Sequence, residues 1–244
     1  MKCTTVLLIY NEEENITPQT EAVLATYDAN DIDGEILLVD DGSVDSSPGI
    51  CDELAAKHDR VRVIHHNPNK GRSYAIQTGF DNARGEITVY MDGDQQYEPK
   101  SIPQFLDKID EGFDAVTGYR TNRADVFYRK WQSQLYNRII IQGLCGLRIR
   151  DQNSGFKAFR TEAARRMDFN PDGYKGLHRF IMPLAFIRGL TIAEIPIVHY
   201  DRPSGKSYIN VSTVAFVMLG DYFRFSREHR TEIKAAKLRV KASQ

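Results

Sequence analysis

Through the first half of the chain, short apolar runs rich in β-branched residues alternate with segments whose apolar positions recur every three to four residues. That alternation predicts a parallel sheet covered by helices. Thr4 to Ile9, Glu35 to Val39, Val61 to His65, Ile87 to Met91 and Ala115 to Thr117 read as strands. Asn11 is placed to cap a first helix with Glu12, Glu13 and Glu14 in its positive first turn, and Ser47-Pro48 reads as a cap followed by proline. A helix from about Ser73 aligns Ala75, Ile76, Gly79, Phe80 and Ala83 on one face and stops at Gly85, a C-terminal cap. Pro99 opens another, carrying Ile102, Phe105, Leu106 and Ile109.

The second half is less regular. An amphipathic segment from about Asp125 to Leu144, a strand around Gly155 to Arg160, a helix from about Gly176 to Arg188 and a strand from Thr191 to Val198 follow in turn. A last helix starts at Val211, passes Phe216, Leu219 and Phe223, and enters a basic tail containing Arg224, Arg227, Arg230, Lys234, Lys237, Arg239 and Lys241. No internal repeat or low-complexity linker interrupts the chain. The expected organisation is one α/β domain over residues 1–208, a mostly parallel central sheet flanked by helices, with a C-terminal amphipathic helix and basic tail over 209–244. That helix either lies on an anionic bilayer surface or packs its apolar face on the domain.

Composition adds limits. With 244 residues, 41% hydrophobic and 27% charged, the chain can bury a full core. A formal charge of −1 argues against a nucleic-acid binder. Three widely spaced cysteines without a Cys-x-x-Cys pair indicate neither a disulfide framework nor a thiolate zinc site, and fit a reducing compartment. The first apolar run is too short for a signal peptide and meets Asn-Glu-Glu-Glu, and no apolar segment approaches the roughly 18 to 20 residues that span a bilayer. The expected location is cytoplasmic, at the inner face of the membrane if the last helix binds lipid.

In open α/β sheets ligands bind at the carboxyl ends of the strands. Four polar clusters fall there: Tyr10-Asn11-Glu12, Asp40-Asp41-Gly42-Ser43, Asp92-Gly93-Asp94-Gln95-Gln96 and Gly118-Tyr119-Arg120. Read alone, Asp92-Gly93-Asp94 is an acidic turn closing a strand. Alternate residues of a strand share a face, however, so the two carboxylates can also present hard oxygen ligands to one Mg²⁺ or Mn²⁺. Acids gathered at three strand ends repel one another, and a divalent metal with a phosphate-bearing ligand accounts for the set better.

Leu7-Leu-Ile-Tyr-Asn-Glu-Glu-Glu-Asn-Ile16, Ile36-Leu-Leu-Val-Asp-Asp-Gly-Ser-Val-Asp45, Asn69-Lys-Gly-Arg-Ser-Tyr-Ala75 and Met91-Asp-Gly-Asp-Gln-Gln96 follow, in order and spacing, the pattern of family 2 glycosyltransferases with the GT-A fold. Arg129, Ser133 and Asn137, Asp151-Gln-Asn-Ser-Gly-Phe-Lys157 and Arg202-Pro-Ser-Gly-Lys-Ser-Tyr208 resemble the branch that includes dolichyl-phosphate mannosyltransferase and bacterial polyprenyl-phosphate sugar transferases. Leu8 and Gln134 depart from that pattern, which usually has proline and arginine there.

The resemblance implies an inverting, metal-dependent transfer from a UDP- or GDP-linked sugar to a polyprenyl phosphate. Tyr10 and Asp41 would contact the nucleotide base, with Glu12 close by, Asp40 supporting the turn and Arg72 facing the ligand. Asp92 and Asp94, with Gln96 third, would hold Mg²⁺ or Mn²⁺ against the diphosphate. Arg120, Arg129, Ser133, Arg202 and Lys206 would bind the acceptor phosphate. Asp151 would contact the acceptor, or act as base if the acceptor were a hydroxyl, and the competing reading for it is a cap. For His178 a hydrogen-bonded structural role is favoured. Two rivals remain: the same donor with a saccharide hydroxyl acceptor, and a non-catalytic nucleotide-sugar binding module. The motifs do not encode oligomeric state.

Overall fold

The computed structural model describes residues 1–121, 142–172, 176–201 and 211–242, without the side chains of 211–219. Arg129, Ser133, Arg202 and Lys206 lie outside the described residues, as does most of the expected 125–144 segment. Seven strands form one sheet in the order β3-β2-β1-β4-β6-β5-β7. They are β1 (Cys3–Ile9), β2 (Gly34–Asp40), β3 (Val61–His65), β4 (Ile87–Asp92), β5 (Ala115–Arg120), β6 (Lys157–Arg160) and β7 (Ile192–Ile197). All run parallel except β6, which is inserted antiparallel between β4 and β5.

Every residue of β1 and β2 is buried, as a sheet covered on both faces requires. Side chains alternate between two cores. Val6 and Leu8 pack with Phe80 and Phe159 on one face, while Leu7 and Ile9 pack with Val23 and Phe105 on the other. The second core is closed by α1 (Ile16–Ala29), α2 (Ser47–Lys57) and α4 (Ile102–Asp110), and the first by α3 (Arg72–Asn82) and the helices of the second half.

Several local expectations are corrected. Strands β4 and β5 run on to Asp92 and Arg120, because β1 and β7 continue alongside them, pairing Leu8 with Asp92 and Ile197 with Arg120. The first helix starts at Ile16; Asn11 sits at φ 55°, and Glu12 to Glu14 precede the helix. Gly85 lies beyond the end of α3 and caps nothing: a Cβ there would overlap the Cys3–Thr4 backbone, so the position needs glycine for close approach. The expected 176–188 helix is a 3₁₀ turn, Leu177–Phe180, followed by α7 (Ile181–Ile187). Pro183 has no N–H to offer the Arg179 carbonyl four residues earlier, and Gln152 Nε2 donates to that carbonyl instead. Two short helices, α5 (Gln142–Cys145) and α6 (Thr161–Arg166), precede it.

The basic tail is itself helical. α8 (Val211–Glu228) and α9 (Arg230–Ala242) meet at His229. Phe225 is fully buried and stacks on Phe180 with ring centroids 4.8 Å apart, and Ile233 and Ala236 join the same core. Arg239 donates to the Phe186 and Ile187 carbonyls at the C-terminal end of α7. Phe223 and Leu238 face outward, 63% and 67% exposed. Among the described residues no helix is long and apolar enough to cross a membrane. Phe225→Ala is expected to cost about 3–5 kcal/mol in urea unfolding. A loss below about 1 kcal/mol would show that α8 does not contribute to the core.

Candidate active site at the carboxyl edge of the sheet

The carboxyl ends of β1 and β2 form one wall. Asp40 Oδ1 accepts the Ser43 N–H at 3.0 Å, and Oδ2 is bonded to His65 Nδ1 at 2.8 Å, so Asp40 holds the turn. Burial lowers the His65 pKa, but hydrogen bonds to Asp40 and Asp52 outweigh it and leave it raised. Asp41 is buried, and its two oxygens are engaged by the His66 ring, the Asn69 amide and the Lys70 and Gly71 N–H groups, at 2.7–3.0 Å. A carboxylate so saturated anchors the 66–71 loop, which delivers Arg72 to the first position of α3. Tyr10 is 39% exposed at the end of β1. Glu12 is buried and accepts the Asn15 amide at 2.7 Å, while Asn15 Oδ1 accepts from Gln95 at 2.8 Å, tying the first wall to the Asp92–Gln96 turn.

Beyond that turn the edge becomes a row of paired charges. Arg72 Nη2 lies 2.6 Å from Asp92 Oδ1. Burial would lower the Arg72 pKa, but the Asp92 charge overrides it and raises it. Arg120 grips Asp151 with two bonds, Nε to Oδ2 at 2.6 Å and Nη2 to Oδ1 at 3.0 Å. Gly155 lies directly against the first pair: a Cβ there would overlap Asp92 Oδ2. Its N–H donates to the buried Tyr97 hydroxyl at 2.8 Å, which fixes the 151–155 loop over the strand end.

Lys157 feels the charges of both pairs, and the motif Asp151–Lys157 that contains it gives it no role. It is 2% exposed and its Nζ donates to the Ser154 carbonyl. Burial, assisted by Arg72 and Arg120, pushes its pKa down to about 7 against the opposing pull of Asp151 and Asp92. A lysine set in the apolar run Phe156-Lys157-Ala158-Phe159 was the available signal. His178 has the hydrogen-bonded role expected of it: its N–H donates to Ser73 Oγ at 3.0 Å, and that hydroxyl lies 3.1 Å from Nδ1.

Asp92, Asp94 and Gln96, the residues expected to face a divalent cation, carry hard oxygen donors. Asp94 is 6% exposed and accepts the Gln96 N–H at 3.2 Å, and Gln96 donates its amide nitrogen to the Tyr200 carbonyl, which directs Oε1 as the remaining ligand atom of that side chain. Among the described residues no cluster of three His, Cys, Asp or Glu is present. Two carboxylates and an amide oxygen fit Mg²⁺ or Mn²⁺, which keep several positions for water or phosphate oxygens, and exclude a closed thiolate or imidazole zinc cage.

Residues 4–168 match the model of glycosyl transferase family 2. The chain belongs to that family. It is 34% identical over 212 residues to the undecaprenyl-phosphate 4-deoxy-4-formamido-L-arabinose transferase of Enterobacter sp. (strain 638), a match covering 84% of this chain and 62% of that protein. The chain thus spans about three fifths of that curated relative. Glucosyl-3-phosphoglycerate synthase from Mycobacterium tuberculosis, in complex with Mn²⁺, UDP and glucosyl-3-phosphoglycerate, superposes with a TM-score of 0.68 at 18% identity, covering 93% of this chain and 79% of that one. The mannosyltransferase PcManGT from Pyrobaculum calidifontis, in complex with GDP-Man and Mn²⁺, gives 0.66 at 16% identity, covering 97% and 69%. The glycosyltransferase fold is therefore GT-A, as the sequence motifs led one to expect.

Asp41→Ala strands several donors at once and should cost at least about 3 kcal/mol in urea unfolding, at roughly 1–3 kcal/mol for each buried group left unpaired. A cost under about 1 kcal/mol would show that the loop does not hang on this carboxylate. Lys157 carries the opposite sign. The unfolded chain keeps the lysine proton up to the ordinary range and the folded chain only to about 7, so wild-type stability rises with pH between those values. Lys157→Met should raise the urea midpoint by about 0.5 M or more at pH 6, with the gain closing by about pH 10. A gain that is the same at both pH values would refute the assignment.

Proposed function

We propose that this glycosyltransferase moves a sugar, with inversion, from a UDP- or GDP-linked donor to a polyprenyl phosphate, using Mg²⁺ or Mn²⁺ held by Asp92, Asp94 and Gln96. The observation that carries the acceptor class is the two-pronged grip of Arg120 on Asp151. A hydroxyl acceptor needs a carboxylate disposed to take up its proton, whereas Asp151 is committed through both oxygens to the Arg120 fork. A phosphate monoester arrives ionised and needs only aiming, which arginine forks supply. Arg120, held in place by Asp151, is assigned to that phosphate together with Arg129, Ser133, Arg202 and Lys206.

On the donor side Tyr10, with Glu12 behind it, flanks the base, and Asp40 and Asp41 hold the turn and loop beneath it. Arg72 is presented to the diphosphate at the first turn of α3, where Asp92 holds its fork. The bound cation stabilises negative charge on the departing nucleoside diphosphate. Inversion implies single displacement, so no protein nucleophile is required. Residues 1–208 carry the transfer site in this reading.

Residues 220–242 of the 209–244 extension pack on that unit and turn Phe223, Leu238 and a series of basic residues outward, a composition suited to an anionic bilayer surface on the cytoplasmic side, where a lipid phosphate would be met.

The test pairs labelled UDP- and GDP-sugars with undecaprenyl or dolichyl phosphate, with and without Mn²⁺. Labelled lipid is expected only with metal, and Asp94→Ala should lower its rate by about 10³-fold, equivalent to about 4 kcal/mol of barrier. Transfer to a saccharide with none to lipid would sink the acceptor assignment. Tight donor binding with neither transfer nor hydrolysis would make the chain a binding module.

A further inference from the structure

The 3₁₀ turn Leu177–Phe180 is held from three directions. On the sheet side, Ser73 in the first turn of α3 accepts the His178 N–H at 3.0 Å. On the side of the C-terminal extension, Arg179 Nη1 donates to Asp221 Oδ2 of α8 at 3.1 Å, and Phe225 of the same helix stacks on Phe180. The fit of Asp221 is close: a Cβ on Gly176, just before the turn, would overlap its carboxylate. Both members of the pair are largely withdrawn from water, with side chains 22% and 15% exposed, so each charge depends on the other. The third contact reaches the transfer site. Gln152 Nε2 donates to the Arg179 carbonyl, and Gln152 directly follows Asp151, whose carboxylate holds the Arg120 fork.

Gln152 is a costly residue where it stands. It is 1% exposed, and its Oε1 is buried without a hydrogen-bond partner among the described residues. An apolar side chain of that size would fill the space without stranding an acceptor. What glutamine adds is one bond that fixes the Asp151 end of the 151–155 loop. The other end is fixed separately, since the Gly155 N–H donates to the Tyr97 hydroxyl. The two ends therefore answer to different contacts, and the Asp151 end answers to a turn that α8 holds.

We propose that Gln152, Arg179 and Asp221 are positioning residues of the acceptor side, through which helix α8 sets the Asp151–Arg120 fork for the acceptor phosphate. The inference rests on the transfer reading of the same site. Each residue acts through the next: Asp221 fixes Arg179, the Arg179 backbone fixes Gln152, and Gln152 fixes Asp151. Helix α8 is then needed for transfer even where no bilayer is present. Asp221 turns toward the protein while Phe223, two residues on, is exposed, so the face of α8 that holds the turn is not the face offered to a membrane.

Transfer rates to polyprenyl phosphate in detergent micelles, measured on the full chain with acceptor and donor varied in turn, read this coupling without a membrane. Gln152→Leu and Asp221→Ala should each lower kcat/KM for the acceptor about tenfold, the scale of one lost hydrogen bond, and leave calorimetric affinity for UDP or GDP with Mn²⁺ within about twofold. Asp221→Asn keeps the shape seated against Gly176 and an oxygen for Arg179, and should recover most of the loss. Because both substitutions cut one route, the double variant Gln152→Leu/Asp221→Ala should be about as slow as the slower single variant, not about a hundredfold down. Unchanged acceptor kcat/KM in Gln152→Leu would overturn the inference while leaving the transfer reading intact. So would additive losses in the double variant, or an equal loss of nucleotide affinity, since a general loosening of the fold weakens both substrates alike. Gln152→Leu alters no part of α8, so its outcome is read even if Asp221→Ala does not fold. Absence of transfer to polyprenyl phosphate by the wild type would instead overturn the transfer reading, and this inference with it.

Discussion

Charge drawn into the edge of a sheet is costly unless it is paired, and this constraint organises the structure around the ends of β4 and β5 and the start of β6. Isolated carboxylates or guanidinium groups there would carry desolvation costs that no nearby hydrophobic contact could offset. The chain alternates them instead: Arg72 with Asp92, then Arg120 with Asp151. Because the two pairs come from α3, β4, β5 and the loop before β6, forming them fixes the relative position of four separate segments. The loop anchored on Asp41 and the glycine at 155 serve the same arrangement, the first by delivering Arg72 and the second by letting backbone lie against Asp92.

Much of this was legible in the sequence. Period-two and period-three-to-four patterns gave the parallel strands and their covering helices, because a sheet buried on both faces writes itself as continuous apolar runs. The motif residues at the ends of β1, β2, β4 and β5 gather along one edge of the sheet. What sequence could not show was partnership. Asp41 looked like a ligand contact, yet its oxygens are engaged by the loop 25 to 30 residues later. Glu12 looked like a helix-dipole acid, and the chain turns before the helix begins. Strand ends were placed early at Met91 and Thr117, since a polar residue reads as a terminus although neighbouring strands continue to pair with it.

The antiparallel insertion of β6 was also hidden. A four-residue strand has too little pattern to announce direction, and its orientation depends on partners far apart in sequence. Yet this reversal brings the start of β6, and so Lys157, to the same edge as the ends of β4 and β5. A parallel β6 would have put that lysine at the opposite rim. In the same way the amphipathic C-terminal segment allowed two destinations by composition, and the stacking of Phe225 on Phe180 shows that one face is used by the protein core.

Pro183 gives a last view of how such sites are assembled. Sitting in the first turn of α7, it has no N–H to offer the Arg179 carbonyl of the preceding 3₁₀ turn, and Gln152 of the distant 151–155 loop takes that place. A defect in one element thus becomes a socket for another. Regularising the helix would make the local structure more self-sufficient and, by the same act, would leave the loop competing with an intrahelical N–H for its attachment point. Local imperfection is here the condition for long-range order.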